Sequence, residues 1–184
     1  MPFVKTDFEG LILFEPDVME DSRGWFFESY NQRKFRLAGI LNRFVQDNQS
    51  FSRYGVIRGL HYQLPPFAQA KLVKVIRGVI YDVVVDIRKG SPTYQQVYAI
   101  ELSADNRKQL FIPAGFAHGF SVLSEEAEVM YKCDHFYNKR SEAGILYNDP
   151  TLGIDWKIPA GQEIVSDKDK QLPTFAQCRN EFQF

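Results

Sequence analysis

The chain has 184 residues, a formal net charge of −1, and 45% hydrophobic and 24% charged residues, which are ordinary values for one globular domain spanning 1–184. This charge excludes a broad basic field for nucleic acid or anionic lipid, so an anionic ligand must be held by a few local cations. The two cysteines, Cys133 and Cys178, lack metal-type spacing. Two cysteines without such spacing predict a protein of the reduced cytoplasm. The sequence shows no secretion signal and no apolar run of about 20 residues, so we expect no membrane span.

The first part of the chain predicts short strands around one helix. In chain order we expect an interrupted strand at 3–14, a strand at 25–30, a helix at 31–38 and an extended segment at 43–51. Asn31 is a suitable N-cap and Gly39 a suitable stop for that helix.

Strands dominate from there on. They are predicted at 71–77, 79–88, 96–103, 109–113, 117–123 and 127–137. The strand at 79–88 is too apolar on both faces to lie on an open sheet, so it should be covered on both sides. Residues 124–126 predict a hairpin turn, and Trp156 and Phe175 are expected to anchor a looser tail. Turn signals every 8–12 residues favour a sandwich or barrel. We therefore predict an all-β, double-sheet jelly roll, or cupin-like β-barrel, with short peripheral helices.

Residues 56–63, followed by Lys71, carry the first candidate chemistry. Alternate side chains of a strand share a face, so His61 and Gln63 should point the same way. Lys71 opens an apolar run, where an ammonium group needs an anion opposite it. The stretch from 56 to Lys71, which includes Arg58, thus offers a general base, a cation for a phosphate group and a cation for a developing oxyanion. A structural histidine with two surface cations is the alternative.

Alternation along 127–137 places Tyr131 and Tyr137 on one face, and His118 begins the adjoining strand. On the strand at 79–88, Asp82 and Asp86 share a face with apolar residues, so at least one carboxylate should face an enclosed space. One barrel could therefore gather His61, Lys71, His118, Tyr131 and Asp82. Alternatively, these tyrosines and histidines fill a core with their polar tips satisfied.

A metal centre is the first rival. Metal-binding cupins offer a His-x-His pair with a nearby glutamate and a later histidine, whereas here Gln63 stands two positions after His61. The chain has three histidines and no His-x-His pair. A nitrogen-rich ligand set is therefore hard to assemble.

Several motifs resemble the dTDP-4-dehydrorhamnose 3,5-epimerase family, from about residue 3 to about residue 173. They are Arg-Gly-Leu-His-Tyr-Gln at 58–63, the lysine at 71, Ile-Pro-Ala-Gly-Phe-Ala-His-Gly-Phe at 112–120, Tyr-Lys at 131–132, and the segments 23–28, 148–156 and 166–169. The resemblance implies a cupin-type homodimer that needs no metal or other cofactor. It also implies the substrate dTDP-4-dehydro-6-deoxy-D-glucose, inverted at C3 and C5 on the way to dTDP-L-rhamnose.

The resemblance also implies roles for four catalytic residues. The protons at C3 and C5 flank a C4 ketone, so removing either gives an enolate. His61 matches the base, Asp169 its paired carboxylate, Lys71 the cation near O4, and Tyr131 the donor that returns a proton to the opposite face.

Ten further residues match substrate contacts. Arg23 and Arg58 resemble the contacts to the diphosphate and base; Glu28, Gln46 and Asn48 match polar contacts at the thymidine end, and Tyr137 the aromatic stacked on thymine. Phe26, His118, Glu142 and Lys168 complete the set. In the family, Arg23 and Glu28 reach the partner subunit's site. The sequence leaves open an enzyme that inverts only C3 or only C5, and a non-catalytic sugar-nucleotide-binding cupin, which would be expected to lose the base, the lysine or the tyrosine.

Overall fold

The computed structural model describes residues 2–184. Its strands are β1 Phe3–Lys5, β2 Ile12–Phe14, β3 Met19–Asp21, β4 Gly24–Phe26, β5 Gln46–Arg53, β6 Val56–Gln63, β7 Lys71–Arg77, β8 Val79–Asp86, β9 Val97–Ser103, β10 Gln109–Ile112, β11 Phe116–Val122, β12 Glu126–Cys133, β13 Glu142–Gly144 and β14 Ile164–Val165. Its helices are α1 Gln32–Leu37, α2 Asp167–Lys170 and a 3-10 turn at Phe175–Gln177. Within this part of the chain, no helix has the length and apolar character to cross a membrane.

The strands form two large sheets. Sheet I has the order β1-β2-β10-β7-β12-β5, and sheet II has the order β13-β6-β11-β8-β9 with β14 added beside β6. Successive strands often change sheet: β5, β7 and β12 belong to sheet I, whereas β6, β8 and β11 belong to sheet II. The prediction of an all-β jelly roll with short helices is confirmed.

The core explains why β8 has no polar face. Ile80 and Val84 belong to the cluster between the sheets, while Val83 and Val85 belong to a second cluster on the other face of sheet II. The tail supplies part of that second cluster, including Trp156, which with Phe175 is buried as expected. Covering both faces of β8 removes its apolar side chains from water and stabilises the sandwich.

The helix prediction is confirmed. Asn31 caps α1, its side-chain oxygen accepting hydrogen bonds from the N–H groups of Arg33 and Lys34 at 3.0 and 3.2 Å. Gly39 follows the helix with a positive φ of 91°, a conformation that glycine adopts without steric strain.

The predicted hairpin at 124–126 is wrong. The strands that it joins, β11 and β12, lie in different sheets, so the link crosses the edge of the sandwich. The Ser124 hydroxyl accepts a hydrogen bond from the N–H of Val79 at 2.8 Å and donates to the Glu126 carbonyl at 2.6 Å. These contacts fix the link against the start of β8, which a local turn pattern does not reveal.

Three predicted strands differ from the observed elements in extent. The strand at 3–14 is two strands, β1 and β2, which pair with each other so that Phe3 is opposite Phe14. The strand at 25–30 shrinks to β4, paired with β3. The strand at 127–137 ends at Cys133, because Asp134 turns to accept hydrogen bonds from Asn42 at 2.6 Å and from the N–H of Ala70 at 2.7 Å.

Candidate active site

A cavity of about 580 Å³ opens between the two sheets and is closed on one side by α2 and β14. Its lining includes seven of the residues predicted from the sequence: Arg58, His61, Lys71, His118, Tyr131, Lys168 and Asp169. All four predicted catalytic residues therefore face one space.

The two sheets contribute different chemistry. His61 on β6 and His118 on β11 come from sheet II, where they are directly paired across the two strands. Lys71 on β7 and Tyr131 on β12 come from sheet I, and the Lys71 ammonium lies 5.8 Å from the centre of the Tyr131 ring. A substrate in the cavity would thus have imidazoles on one side and a phenol and an ammonium on the other.

Close approach of two backbones places the histidines. A Cβ atom on Gly59 would lie 2.5 Å from the Cα of Gly119, and one on Gly119 would lie 2.7 Å from the Arg58 carbonyl oxygen. Gly59 also has a φ of 134°, a region that side-chain-bearing residues rarely adopt. Any larger residue at either position would force β6 and β11 apart just beside His61 and His118.

His61 is paired with a carboxylate from a distant part of the chain. Its Nε2 lies 2.7 Å from Oδ1 of Asp169 on α2, 108 residues later. Burial alone would raise the pKa of Asp169, but the hydrogen bond and charge of His61 and the Gly59 N–H at 3.4 Å outweigh it, so the pKa lies below its usual value. With Nε2–H directed at the carboxylate, the other ring nitrogen carries the lone pair that accepts a proton.

His118 forms a second pair of the same type. Its Nε2 lies 2.8 Å from Oδ1 of Asp82, and both side chains are buried. Burial lowers the pKa of His118 and prevails over the opposing effect of Asp82, so its imidazole is neutral at pH 7. Asp82 is thus the carboxylate that was expected to face an enclosed space. Its Oδ2 is buried without a hydrogen-bond partner among residues 2–184.

The opposite wall carries two more shifted groups. Burial lowers the pKa of Lys71, partly offset by Cys133 and Asp82. Burial, with a contribution from Cys133, raises the pKa of Tyr131, against a smaller lowering by Arg58. Tyr131 therefore keeps its phenolic proton at neutral pH and can donate it.

A second cavity of about 260 Å³ adjoins the first and shares His61, Lys71 and Tyr131 with it. Four more predicted binding residues line it: Gln46, Asn48, Tyr137 and Glu142. They are connected by hydrogen bonds, from Gln46 to Asn48 at 3.0 Å, from the N–H of Tyr137 to Gln46 at 2.9 Å, and from the Tyr137 hydroxyl to Glu142 at 3.0 Å. Lys168 forms an ion pair with Glu142. The polar groups thus extend the site beyond the four catalytic residues.

Arg23, Phe26 and Glu28 lie outside both cavities. Arg23 and Phe26 sit on the exposed β3–β4 hairpin, where Arg23 is paired with Asp21. Glu28 pairs with Lys34 and accepts a hydrogen bond from Asn31.

The structure also adds lining residues that the sequence reasoning did not select, among them Ser50, Phe120, Ile164 and Val165. Ser50 shares a face of its extended segment with Gln46 and Asn48, which is a usable signal. The two residues of β14 offer none, since a two-residue parallel strand has no periodicity. Groups of three or more His, Cys, Asp or Glu side chains able to hold a metal ion are absent from the described residues.

Comparison with known proteins decides the family. The family model for dTDP-4-dehydrorhamnose 3,5-epimerase matches residues 5–177. The chain belongs to the dTDP-4-dehydrorhamnose 3,5-epimerase family. It is 52% identical over 170 residues to the dTDP-4-dehydrorhamnose 3,5-epimerase of Shigella flexneri, covering 92% of this chain and 93% of that protein.

Solved structures of family members agree with this fold. The dTDP-4-dehydrorhamnose 3,5-epimerase of Elizabethkingia anophelis superposes with a TM-score of 0.92 at 51% identity, covering 97% of this chain and 98% of that one. The dTDP-6-deoxy-D-glucose-3,5-epimerase of Legionella pneumophila, solved in complex with dTDP-4-keto-L-rhamnose, gives a TM-score of 0.90 at 45% identity, covering 95% and 93%. The family resemblance read from the motifs is confirmed.

Proposed function

We propose that this chain is an isomerase that converts dTDP-4-dehydro-6-deoxy-D-glucose to dTDP-4-dehydro-L-rhamnose, inverting C3 and C5, in the cytoplasmic synthesis of dTDP-L-rhamnose. One observation carries the proposal: His61 and Tyr131 line the same cavity from opposed sheets. Inversion needs a base on one face of the carbon and a proton donor on the other.

The first step is proton abstraction. The free nitrogen of His61 takes the proton from the carbon beside the C4 ketone, and the electron pair of the C–H bond moves to O4 as an enolate. Asp169, ionised because its pKa is lowered, stabilises the imidazolium that forms. Lys71 stands beside the developing negative charge on O4, where an ammonium in a partly enclosed site has its largest effect.

The second step is reprotonation. Tyr131 gives its phenolic proton to the carbon from the other side, the enolate collapses to the ketone, and the carbon is inverted. The imidazolium and the phenolate then exchange protons with water, which restores both groups for the second carbon. The step draws on side chains alone, and we propose that no metal or other cofactor takes part.

His118 has a narrower role. Because its imidazole is neutral and its N–H points at Asp82, its remaining nitrogen can only accept a hydrogen bond. That suits a sugar hydroxyl and does not suit an enolate oxygen. We therefore assign His118 to substrate binding, as an acceptor.

The nucleotide is assigned to the remaining groups. Arg58 and Lys168 supply local positive charge for the diphosphate. Gln46, Asn48, Tyr137 and Glu142 in the second cavity are proposed to hold the thymidine end. Arg23, Phe26 and Glu28 are proposed to act in a homodimer, each subunit completing the site of its partner; their distance from the cavities of their own chain supports this.

Proton NMR of the 4-keto sugar nucleotide incubated with the protein in D₂O tests the assignment. Deuterium at both C3 and C5, with formation of the L-rhamno product, is the expected result. Deuterium at one carbon would identify a 3-only or 5-only epimerase. Deuterium at neither carbon would identify a non-catalytic binding protein. His61→Ala is the matched control for non-enzymatic exchange.

A further inference from the structure

Three consecutive residues attach the segment 15–29, which contains the β3–β4 hairpin, to the body of the protein. Lys108 forms an ion pair with Glu15 at 2.7 Å, and the side chain of Gln109 donates to the Ser29 carbonyl at 2.9 Å. These two contacts hold the ends of the segment. The third residue, Arg107, contacts the hairpin between them.

Arg107 makes two contacts with the hairpin. The carbon of its guanidinium lies 4.7 Å from the centre of a Trp25 ring on β4, and its NH2 group lies 3.4 Å from the carboxylate of Glu20 on β3. One side chain thus touches both strands, and only 19% of that side chain is exposed. Its Nε is buried without a hydrogen-bond partner in the described part of the chain, so the group is held there by stacking and charge.

The hairpin pairs with no other strand among the described residues. β3 and β4 form a two-stranded sheet of their own, and Met19, Trp25 and Phe26 are exposed. An isolated two-stranded hairpin is marginally stable in water. The angle at which it leaves the body therefore depends strongly on a contact that spans both strands.

We propose that Arg107 is a positioning residue for the reaction: it sets the direction of the β3–β4 hairpin so that Arg23 and Phe26 enter the pocket of the partner subunit. The inference rests on the proposed function, in which the hairpin acts across a homodimer. Arg107 touches neither substrate nor the reacting atoms.

Arg107→Asn is the informative variant. Arg107 has a positive φ of 55°, which asparagine tolerates better than most residues, so the backbone is preserved while the guanidinium is removed. We expect KM for the dTDP-sugar to rise about five- to tenfold with kcat changed less than about twofold, since a lost cation–π contact is worth about that factor. Arg107→Lys keeps the charge facing Glu20 but loses the planar stack on Trp25. Its KM should therefore lie between those of the wild type and of Arg107→Asn.

Tryptophan fluorescence supplies a readout independent of turnover. The chain has two tryptophans, and Trp156 is buried while Trp25 is exposed. Removing the guanidinium from the face of Trp25 should increase quenching of the exposed tryptophan by acrylamide. Unchanged quenching together with unchanged KM would overturn the proposal.

Mixed dimers locate the effect. Arg107→Asn and His61→Ala subunits are co-expressed with different tags, and the mixed dimer is purified through both tags. In this dimer the only intact His61 belongs to the Arg107→Asn subunit, and its site receives the hairpin of the His61→Ala subunit, in which Arg107 is intact. The kcat/KM per intact His61 should return to the wild-type value. This recovery also shows that the Arg107→Asn subunit is folded.

Arg23→Ala paired with His61→Ala is the matched control, because it tests delivery of the hairpin in trans without involving Arg107. If this control recovers while the Arg107→Asn mixture stays as low as its homodimer, Arg107 acts on its own subunit and the proposal is wrong. If neither mixture recovers, the hairpin does not act across the dimer and the proposal fails, while epimerisation by the wild-type protein remains to be judged by the D₂O experiment alone.

Discussion

Two histidine–carboxylate pairs use the same atoms: His61 with Asp169, which both line the cavity, and His118, which lines it, with Asp82, which does not. Their Nε2–Oδ1 distances are nearly equal, at 2.7 and 2.8 Å. Their surroundings differ: 33% of the His61 side chain is exposed, against 7% of the His118 side chain. Hydrogen-bond geometry alone therefore does not decide what such a pair does.

The two pairs differ in how far burial shifts the pKa values of their members. Asp169 is held by the His61 ring and the Gly59 N–H, and its lowered pKa keeps a negative charge beside His61. His118 is enclosed, and burial disfavours its charged form in spite of Asp82. The more exposed pair, His61 with Asp169, is suited to proton transfer, whereas the buried pair, His118 with Asp82, orients a neutral hydrogen-bond acceptor. Four experiments test this contrast.

The largest expected effect comes from removing the imidazole of His61, the more exposed of the two histidines. His61→Ala should reduce kcat/KM by about 10²–10⁴-fold, the usual contribution of a positioned general base. His118→Ala, its matched control, should raise KM more than it lowers kcat, because His118 is assigned to binding. Near-normal turnover by His61→Ala would remove His61 from the role of base.

Tyr131→Phe separates abstraction from inversion. The ring remains, but the proton donor on the wall opposite His61 is gone, so net inversion should fall by about 10²-fold. Exchange of the substrate's C–H for deuterium, which needs only the base, should fall less. The two rates are measured on one sample by NMR in D₂O; equal losses of both would contradict the assignment of Tyr131 as donor.

The two carboxylates should respond differently to the same substitution. Asp169→Asn removes the charge that stabilises the His61 imidazolium and should lower kcat by about 10- to 100-fold, the value of a charge-assisted hydrogen bond. Asp82→Asn should lower kcat less than about threefold, since His118 stays neutral in the reaction. Steady-state kinetics with thermal unfolding as a folding control provide the test. Comparable losses of kcat would mean that turnover also needs the Asp82 charge, either because His118 changes charge or because Asp82 helps to keep Lys71 protonated.

The smallest effect is on stability against pH. The pKa of His118 is lowered in the folded protein, so at mildly acidic pH the unfolded chain binds a proton that the folded chain does not. The free energy of unfolding should therefore decline as pH falls below about 6.5, until the folded-state pKa is passed. His118→Asn should show a weaker decline in urea unfolding between pH 8 and pH 5. An identical slope in both proteins would show that burial does not shift this group.

Part of this architecture could be predicted from local pattern. Alternation identified β8 as covered on both faces and predicted that at least one of Asp82 and Asp86 faces an enclosed space, because side-chain direction in a strand repeats every two residues. The Asn31 cap and Gly39 likewise marked the ends of α1. These features depend on a few neighbouring residues.

Long-range arrangement was not available from local pattern. Residues 124–126 look like a hairpin turn, yet the strands on either side join different sheets. The contact between His61 and Asp169 joins residues 108 positions apart, and it was expected only because of the family resemblance. The roles of Arg23, Phe26 and Glu28 remain predictions, since they concern a second subunit.

The late position of Asp169 has a consequence for synthesis of the protein. During translation β6 and its histidine emerge long before α2, and neighbouring strands such as β5 and β6 must part to opposite sheets before either sheet is complete. Topologies dominated by such non-local pairing fold on the scale of milliseconds to seconds. A nascent chain therefore holds an unpaired His61 imidazole until the segment that carries Asp169 has been synthesised.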